Sequence, residues 1–248
     1  MSAVVLITGA SRGIGAATAL LAARQGYAVA VNYSANSLAA DEVVRQIRQA
    51  GGNAMTVQAD VADESQVLKM FEKVDAKLGR LTALVNNAGV VDQTSRVDAM
   101  SMARFKRMFE INVYGSFVCA REAVRRMSTR HGGTGGTIVN LSSVAARLGA
   151  PSQYVDYAAA KGAIDSFTFG LAKEVAAEGI RVNAVRPGII DTEIHASGGL
   201  PDRAREMAPQ VPMQRPGSAE EVARSILWLM SPESSYTTGT VLDVTGGR

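Results

Sequence analysis

Seven short runs of apolar and β-branched residues, at 4–8, 28–33, 53–58, 81–86, 137–141, 180–185 and 240–244, restrict this chain more than any other feature. Most are apolar throughout rather than alternating, as strands covered on both faces must be. Helical periodicity fills the intervals, at about 13–26, 37–50, 63–78, 98–130, 157–178 and 218–230. Strand and helix repeated in this order demand right-handed crossovers, and therefore an α/β architecture with a parallel sheet and helices on both faces. No linker, composition break, internal repeat or low-complexity tract divides the 248 residues, so one domain over 1–248 is expected. The texture changes only at about 192–217, where Pro201, Pro209, Pro212 and Pro216 join Gly198 and Gly199. Long excursions of this kind in compact domains usually serve as lids or binding loops.

Composition narrows the function classes. With 47% hydrophobic and 20% charged residues the chain can build a large core, which excludes a disordered tail protein. Its one cysteine, Cys119, excludes an intrachain disulfide and a cysteine metal cluster. Apolar runs such as 226–230 are far too short to span a bilayer. The stretch 4–7 lacks a basic leader, so no signal peptide is expected and a cytoplasmic location is. A net charge of +3 gives no reason to expect a nucleic-acid partner. The one basic run, Arg121, Arg125, Arg126, Arg130 and His131, follows helical spacing and reads as a solvated helix face before a docking surface for an acidic partner. Two histidines, His131 and His195, with no matching carboxylate cluster, make a metal site improbable.

The first strand runs straight into Thr8-Gly9-Ala10-Ser11-Arg12-Gly13-Ile14-Gly15 and then a helix. Gly9 permits a tight turn, Gly13 leaves room for phosphate oxygens, and Gly15 lets helix and strand approach closely. The free N–H groups at the helix start suit a pyrophosphate. Isolated, such a cluster is weak evidence; in a strand–turn–helix context at the first crossover it points to a dinucleotide. The second strand ends in Asn32, Tyr33 and Ser34, without the carboxylate that NAD-binding units use to hold the ribose hydroxyls. Arg12 can pair with a 2′-phosphate, so NADP(H) is preferred and NAD(H) remains possible. The plainer alternative is a surface arginine and a strand-end turn residue.

Tyr157 and Lys161 stand four apart at the start of a helical stretch and project from one face. A phenol near pKa 10 works poorly at neutral pH, but a neighbouring ammonium favours the phenolate, fitting it to exchange a proton with a carbonyl oxygen. Ser142 and Ser143 follow the 137–141 strand at its C-terminal end, where open parallel sheets bind ligands. Alternatively, Tyr157 and Lys161 form an ordinary surface pair, and the serines cap a turn.

Taken together and in order, these motifs resemble a classical short-chain dehydrogenase/reductase along the whole chain. The resemblance covers Thr8-Gly9 through Gly15, Asp60-Val61, Asn86-Asn87-Ala88-Gly89, Asn112, Ser143, Tyr157, Lys161, and Arg186-Pro187-Gly188 with Thr192. It implies a doubly wound, seven-stranded Rossmann fold and hydride transfer between a nicotinamide cofactor and a small carbonyl or alcohol. It also implies roles: Tyr157 as general acid or base, Lys161 holding the nicotinamide ribose, Ser143 orienting the carbonyl, and Asn112 bending its helix and carrying a water. Asn32, Asp60, Val61, Asn86, Ala88 and Gly89 are implied on the adenosine and central side, and Pro187, Gly188, Ile190 and Thr192 on the nicotinamide side. Two departures stand out. Ser143 lies fourteen before Tyr157, one more than usual, which implies a one-residue insertion within 147–156, and Ser142 remains the alternative serine. Thr245 replaces the aspartate that relatives often carry.

Substrate identity is less constrained. Ile194, His195, Met207 and Met213 in the 192–217 excursion form a mixed lining. Ketoacyl–carrier-protein reductases tend to have an arginine where this chain reads Ala176-Ala177-Glu178-Gly179, which weighs against an acidic carrier. Sugar dehydrogenases share the Val31-Asn32-Tyr33 strand end. A catalytically silent NADP-binding sensor or scaffold is the alternative outside enzymes, since fold does not fix function. The family also implies a homotetramer built through the long helices, whose small residues Ala158, Ala159, Ala160, Gly162, Ala163 and Gly170 permit close packing, between subunits or equally within one.

Overall fold

The computed structural model describes residues 3–248; the side chains of His195 and Ser197 lie outside the description, so the reading of His195 as a substrate contact does too. In chain order the elements are β1 (Val4–Ile7), α1 (Gly13–Arg24), β2 (Ala28–Tyr33), α2 (Ser37–Gln49), β3 (Ala54–Gln58) and α3 (Glu64–Leu78). Then come β4 (Ala83–Asn86), α4 (Met102–Phe109), a π-helical turn (Glu110–Tyr114), α5 (Gly115–Met127), β5 (Gly136–Leu141), α6 (Ala145–Leu148) and α7 (Val155–Val175). The last part holds β6 (Ile180–Pro187), β7 (Ile190–Asp191), α8 (Ile194–Ser197), α9 (Arg203–Met207), β8 (Gly217–Ser218), α10 (Ala219–Met230) and β9 (Val241–Val244).

Seven strands form one parallel sheet in the order β3-β2-β1-β4-β5-β6-β9. The apolar strands feed two separate cores because successive side chains point to opposite faces. Val5 and Ile7 of β1 pack with α1, α2 and α10, through residues such as Ala19, Ile47 and Ile226. Val4 and Leu6 pack on the other side with α3, α5 and α7, through Phe71, Cys119 and Val175. A strand alternating polar and apolar could not serve both layers. Strand order reverses between β1 and β4, which pair in parallel with Ile7 opposite Val85. The chain leaves that point in both directions, opening a crevice above the strand ends.

Two expected helices differ from what forms. The 98–130 stretch is not one helix: a short 3₁₀ turn (Val97–Ala99) precedes α4, and the π-helical turn separates α4 from α5. Asn112 supplies the reason. Its Nδ2 donates to the Met108 carbonyl at 3.0 Å, the acceptor that its own backbone N–H would use in a regular helix. The 157–178 helix starts at Val155 and loses α geometry after Val175, continuing as a 3₁₀ turn at Ala176–Glu178. Three members of the basic run are ion-paired: Arg121 reaches Glu64 and Glu122, Arg125 reaches Glu122, and Arg126 reaches Asp75 and Glu122. The 192–217 excursion is broken into α8, α9 and a 3₁₀ turn. A small parallel ladder at its base pairs Ile190 with Gly217 and Asp191 with Ser218. No described helix is long and apolar enough to cross a membrane.

Candidate active site

Two connected cavities occupy the crevice above the strand ends, sharing Ile14, Asn87, Gly89 and Ile194. The first, about 420 Å³, is lined by Ser143, Tyr157 and Lys161, and at its far side by Pro187, Gly188 and Ile190. The second, about 250 Å³, lies over the β1–α1 turn and is lined by Gly9, Ser11, Arg12 and Gly13. Its outer walls come from Asn32, Asp60 and Val61, its inner end from Ala88, and its other flank from Thr192.

The β1–α1 turn needs glycine: Gly9 and Gly13 both lie in the left-handed region, at φ of 61° and 55°. Asn32 pins it in place. Its Oδ1 accepts from the Gly9 amide at 3.1 Å while Nδ2 donates to the carbonyls of Val57 and Ala59. One buried side chain thus ties the glycine turn to β2 and β3, a scaffolding role beyond its place in the pocket wall. α1 starts at Gly13 with no side-chain cap, and its first residues Gly13 and Ile14 line this cavity, so the first-turn amides, which a helix leaves without intrahelical acceptors, lie at its wall.

Asn86 does not reach the crevice. Its Nδ2 donates to the Ser116 carbonyl and to Asn140 Oδ1, whose own Nδ2 donates to Thr168. It therefore faces the α5–α7 layer, as alternation along β4 requires, and is a core polar residue rather than a cofactor contact. Asn87 takes the crevice side, with Nδ2 donating to the carbonyls of Thr8 and Gly9. Gly15 is buried behind the turn and lines neither cavity.

Around the phenol, α7 supplies Tyr157 and Lys161, and the chain following β5 supplies Ser143. Ser143 lies close enough to the Tyr157 hydroxyl to oppose the rise of its pKa, and its Oγ accepts from the Ala145 amide at 3.2 Å, whereas the buried Ser142 Oγ donates to the Lys161 carbonyl at 3.4 Å. Lys161 Nζ donates to the Leu141 carbonyl at 2.7 Å and lies 5.6 Å from the centre of the Tyr157 ring. The π-helical turn brings Asn112 against this group from behind. Its Oδ1 accepts from the Val90 amide and its Nδ2 donates to the Val90 carbonyl. Gly89 lies in between. A Cβ there would sit 2.8 Å from Asn112 Oδ1 and 3.5 Å from Lys161 Nζ, so any larger residue would force this cluster apart.

The electrostatics differ from the expectation. Burial pushes the Tyr157 phenol up to about 12, opposed by the Ser143 hydroxyl and reinforced by Tyr154. Lys161 is not among the groups acting on it, so these residues alone do not lower the phenol's pKa. Desolvation sets the direction, and the same burial brings the Lys161 ammonium down to about 8, with Asp165 opposing. At neutral pH the pair is therefore a neutral phenol beside a largely protonated amine.

Sequence reasoning overlooked several wall residues. Asn87, not its motif neighbour Asn86, lines both cavities, and Tyr33, Ser34, Arg107 and Glu193 also line the second. Arg107 carries no local motif, and only the packing of α4 brings it there. The expected insertion within 147–156 forms a wall of the first cavity through Ala150, Pro151 and Gln153. It contains two non-glycine residues with positive φ, Ala150 at 46° and Ser152 at 58°. Such strain persists where surrounding structure enforces it and clusters at ligand sites.

Comparison with known proteins fits this architecture. A family model described as enoyl-(acyl carrier protein) reductase matches residues 9–248. An uncharacterized oxidoreductase of Escherichia coli (strain K12), YgfF, is 56% identical over 246 residues, covering 99% of this chain and 100% of that protein. A 3-oxoacyl-[acyl-carrier-protein] reductase of Synechocystis is 39% identical over 245 residues, covering 98% of this chain and 96% of that protein. Among solved structures, the acetoin dehydrogenase YohF of Salmonella typhimurium superposes with a TM-score of 0.88 at 35% identity, covering 100% of this chain and 97% of that one. The chain belongs to the short-chain dehydrogenase/reductase family and is an NAD(P)-dependent oxidoreductase of the class acting on CH–OH groups.

Proposed function

We propose that this protein is an NADP(H)-dependent oxidoreductase that interconverts a small carbonyl compound and its alcohol, with Tyr157 as the proton donor and acceptor. The observation that carries this reading is the meeting of Ser143, Tyr157 and Lys161 in a cavity of about 420 Å³ that opens onto the glycine turn. The residues present suit a dinucleotide: a positive-φ glycine turn, a helix start, and a polar cavity with Arg12 and Arg107 among its walls. When bound, reduced nicotinamide supplies the hydride to the carbonyl carbon and is oxidised, while the carbonyl oxygen takes a proton.

The chain's residues provide that proton and the geometry for its transfer. A phenol held near 12 stays protonated at neutral pH, so Tyr157 stands ready as an acid for reduction. In the reverse direction Tyr157 would have to ionise first, and the positive charge of an oxidised nicotinamide, were one held in this crevice, would favour that. Ser143, in contact with the phenol, is positioned to hydrogen-bond the same substrate oxygen and fix its orientation. Lys161, anchored to the Leu141 carbonyl, holds a positive charge behind the phenol, and Asn112 braces the Val90 backbone against it. The 192–217 excursion is assigned as a lid, hinged on the short β7–β8 ladder. NADP(H) is preferred through Arg12, the working form is a homotetramer, and the setting is the cytoplasm.

The similarity to an acetoin dehydrogenase favours a small hydroxy or oxo compound. A 3-oxoacyl reductase is the second reading, favoured by the Synechocystis relative. Tyr157→Phe tests the assignment against a silent sensor: turnover in a carbonyl panel followed by NADPH absorbance should fall at least a thousandfold while NADPH binding, read by fluorescence, stays within about threefold. Undiminished turnover in the variant refutes the role.

A further inference from the structure

The first cavity is electrostatically one-sided. Among the described residues that line it there is no aspartate or glutamate side chain, whereas Lys161 and Arg203 do line it; Arg248 lines it too but brings the terminal carboxylate along with its guanidinium. The carboxylate nearest the phenol in sequence, Asp156, is already engaged by Arg104 through paired contacts of 2.7 and 3.2 Å. Lys161 is held against the Leu141 carbonyl and the phenol. Arg203, half-buried at the start of α9, lines the same cavity from the wall formed with Tyr154 and Gln153.

Its placement is built rather than incidental. The Arg203 guanidinium stacks 5.2 Å from the centre of the Tyr154 ring, and that ring meets Tyr157 edge-on at 6.3 Å between centres. Nη2 donates to Gln153 Oε1 at 2.7 Å. Gln153 is fixed in turn by its carbonyl, which accepts from the Ser95 amide at 2.9 Å, and it belongs to the turn with positive φ at Ala150 and Ser152. A guanidinium has five N–H donors in a planar fork, and Gln153 engages one side only. Stacking and a neutral amide partner hold the group in orientation without neutralising it, which is what an anion site requires. Ile194, Met207 and Leu148 give the space between apolar sides.

We infer that the substrate is a carbonyl compound that also carries a carboxylate, its C=O at Ser143 and Tyr157 and its carboxylate at the Arg203 fork, joined by a short apolar carbon frame. This rests on the proposed carbonyl-reducing function of the same cavity and narrows its substrate class. Arg203 stacks on Tyr154, whose ring meets that of Tyr157, so both recognition points lie along one wall of a cavity of about 420 Å³, which favours small oxo acids over long acyl chains. The redox step is that of the proposed reaction; Arg203 recognises a part of the substrate that does not react.

The test compares 4-oxopentanoate and 4-oxocyclohexanecarboxylate, each with its own neutral primary amide, using the full-length protein and NADPH. Wild type should favour each acid over its amide by at least tenfold in kcat/KM, with most of the difference in KM, as an ionic hydrogen bond made equally in ground and transition states would give. Arg203→Gln should lower kcat/KM for the acids by about tenfold to hundredfold, leave the amides within about threefold, and leave NADPH binding unchanged. Arg203→Lys should restore part of the preference, having the charge without the fork. Equal use of acid and amide by wild type overturns the inference but leaves the reductase assignment intact, and so does an equal loss for both in Arg203→Gln. Should neither pair react, calorimetry with cyclohexanecarboxylate and cyclohexanecarboxamide on the NADP-loaded protein decides. Carboxylate-selective binding that Arg203→Gln abolishes sustains the anion site, absence of selectivity overturns it, and the reductase reading is decided separately by the Tyr157→Phe carbonyl panel.

Discussion

Replacing Lys161 with methionine should make the protein more stable while disabling it. The ammonium is buried, and its pKa falls from 10.5 to about 8 because the charged form is poorly solvated there. At 1.36 kcal/mol per pKa unit, keeping it protonated in the folded chain at pH 7 costs on the order of 3 kcal/mol. Methionine has similar length and no charge to desolvate. It loses the hydrogen bond to the Leu141 carbonyl, which takes back about 1–2 kcal/mol. The balance is a gain of about 1–2 kcal/mol at pH 7, or roughly 3–6 °C in Tm for a chain of this size. The pH dependence identifies the cause. Between about 8 and 10.5 the unfolded lysine keeps a proton that the folded one has released, so wild-type stability rises through that window and the advantage of the variant shrinks. Urea unfolding of both proteins at equal concentration, from pH 7 to 9.5, measures the difference directly. A variant less stable at pH 7, or an advantage that stays flat with pH, would refute the reasoning.

Two further outcomes follow from the same geometry. Arg12→Gln should weaken NADPH binding by about tenfold to hundredfold and NADH binding by less than threefold, read by fluorescence titration, because only the former offers the guanidinium a phosphate. Equal losses would show that Arg12 does not select between them. Arg104→Met should destabilise the fold by about 3–5 kcal/mol in chemical denaturation, since it strands the buried Asp156 carboxylate at the start of α7, whereas the Arg104→Met/Asp156→Asn pair should recover much of the loss.

The comparison of the chain with its fold divides along physical lines. Strand positions were legible because apolar runs needed on both faces of a sheet cannot be disguised, and β2 spans Ala28–Tyr33, the very residues the pattern marks. The glycine turn was legible because left-handed backbone at Gly9 and Gly13 must be written in the residue types. The break between α4 and α5 was not legible in the periodicity, which runs through 98–130, although the family resemblance implies that Asn112 bends its helix; the distortion comes from its side-chain hydrogen bonds to Met108 and Val90. The assignment of Asn86 failed for a related reason. A motif names neighbours, but which of two adjacent asparagines faces the crevice is decided by strand register and by the partners across the layer, here Ser116 and Asn140.

The sequence alone thus determined the layering, the dinucleotide-type turn and the set of residues able to handle a proton, because each depends on local pattern or backbone freedom. Tertiary structure decided the rest. It buries Tyr157 until its pKa moves away from neutrality rather than toward it, shares Asn32 among three segments, and brings Gln153, Tyr154 and Arg203 to one wall from two distant segments. Solvation, charge balance and convergence are properties of the assembled surroundings, and no single stretch of chain contains them.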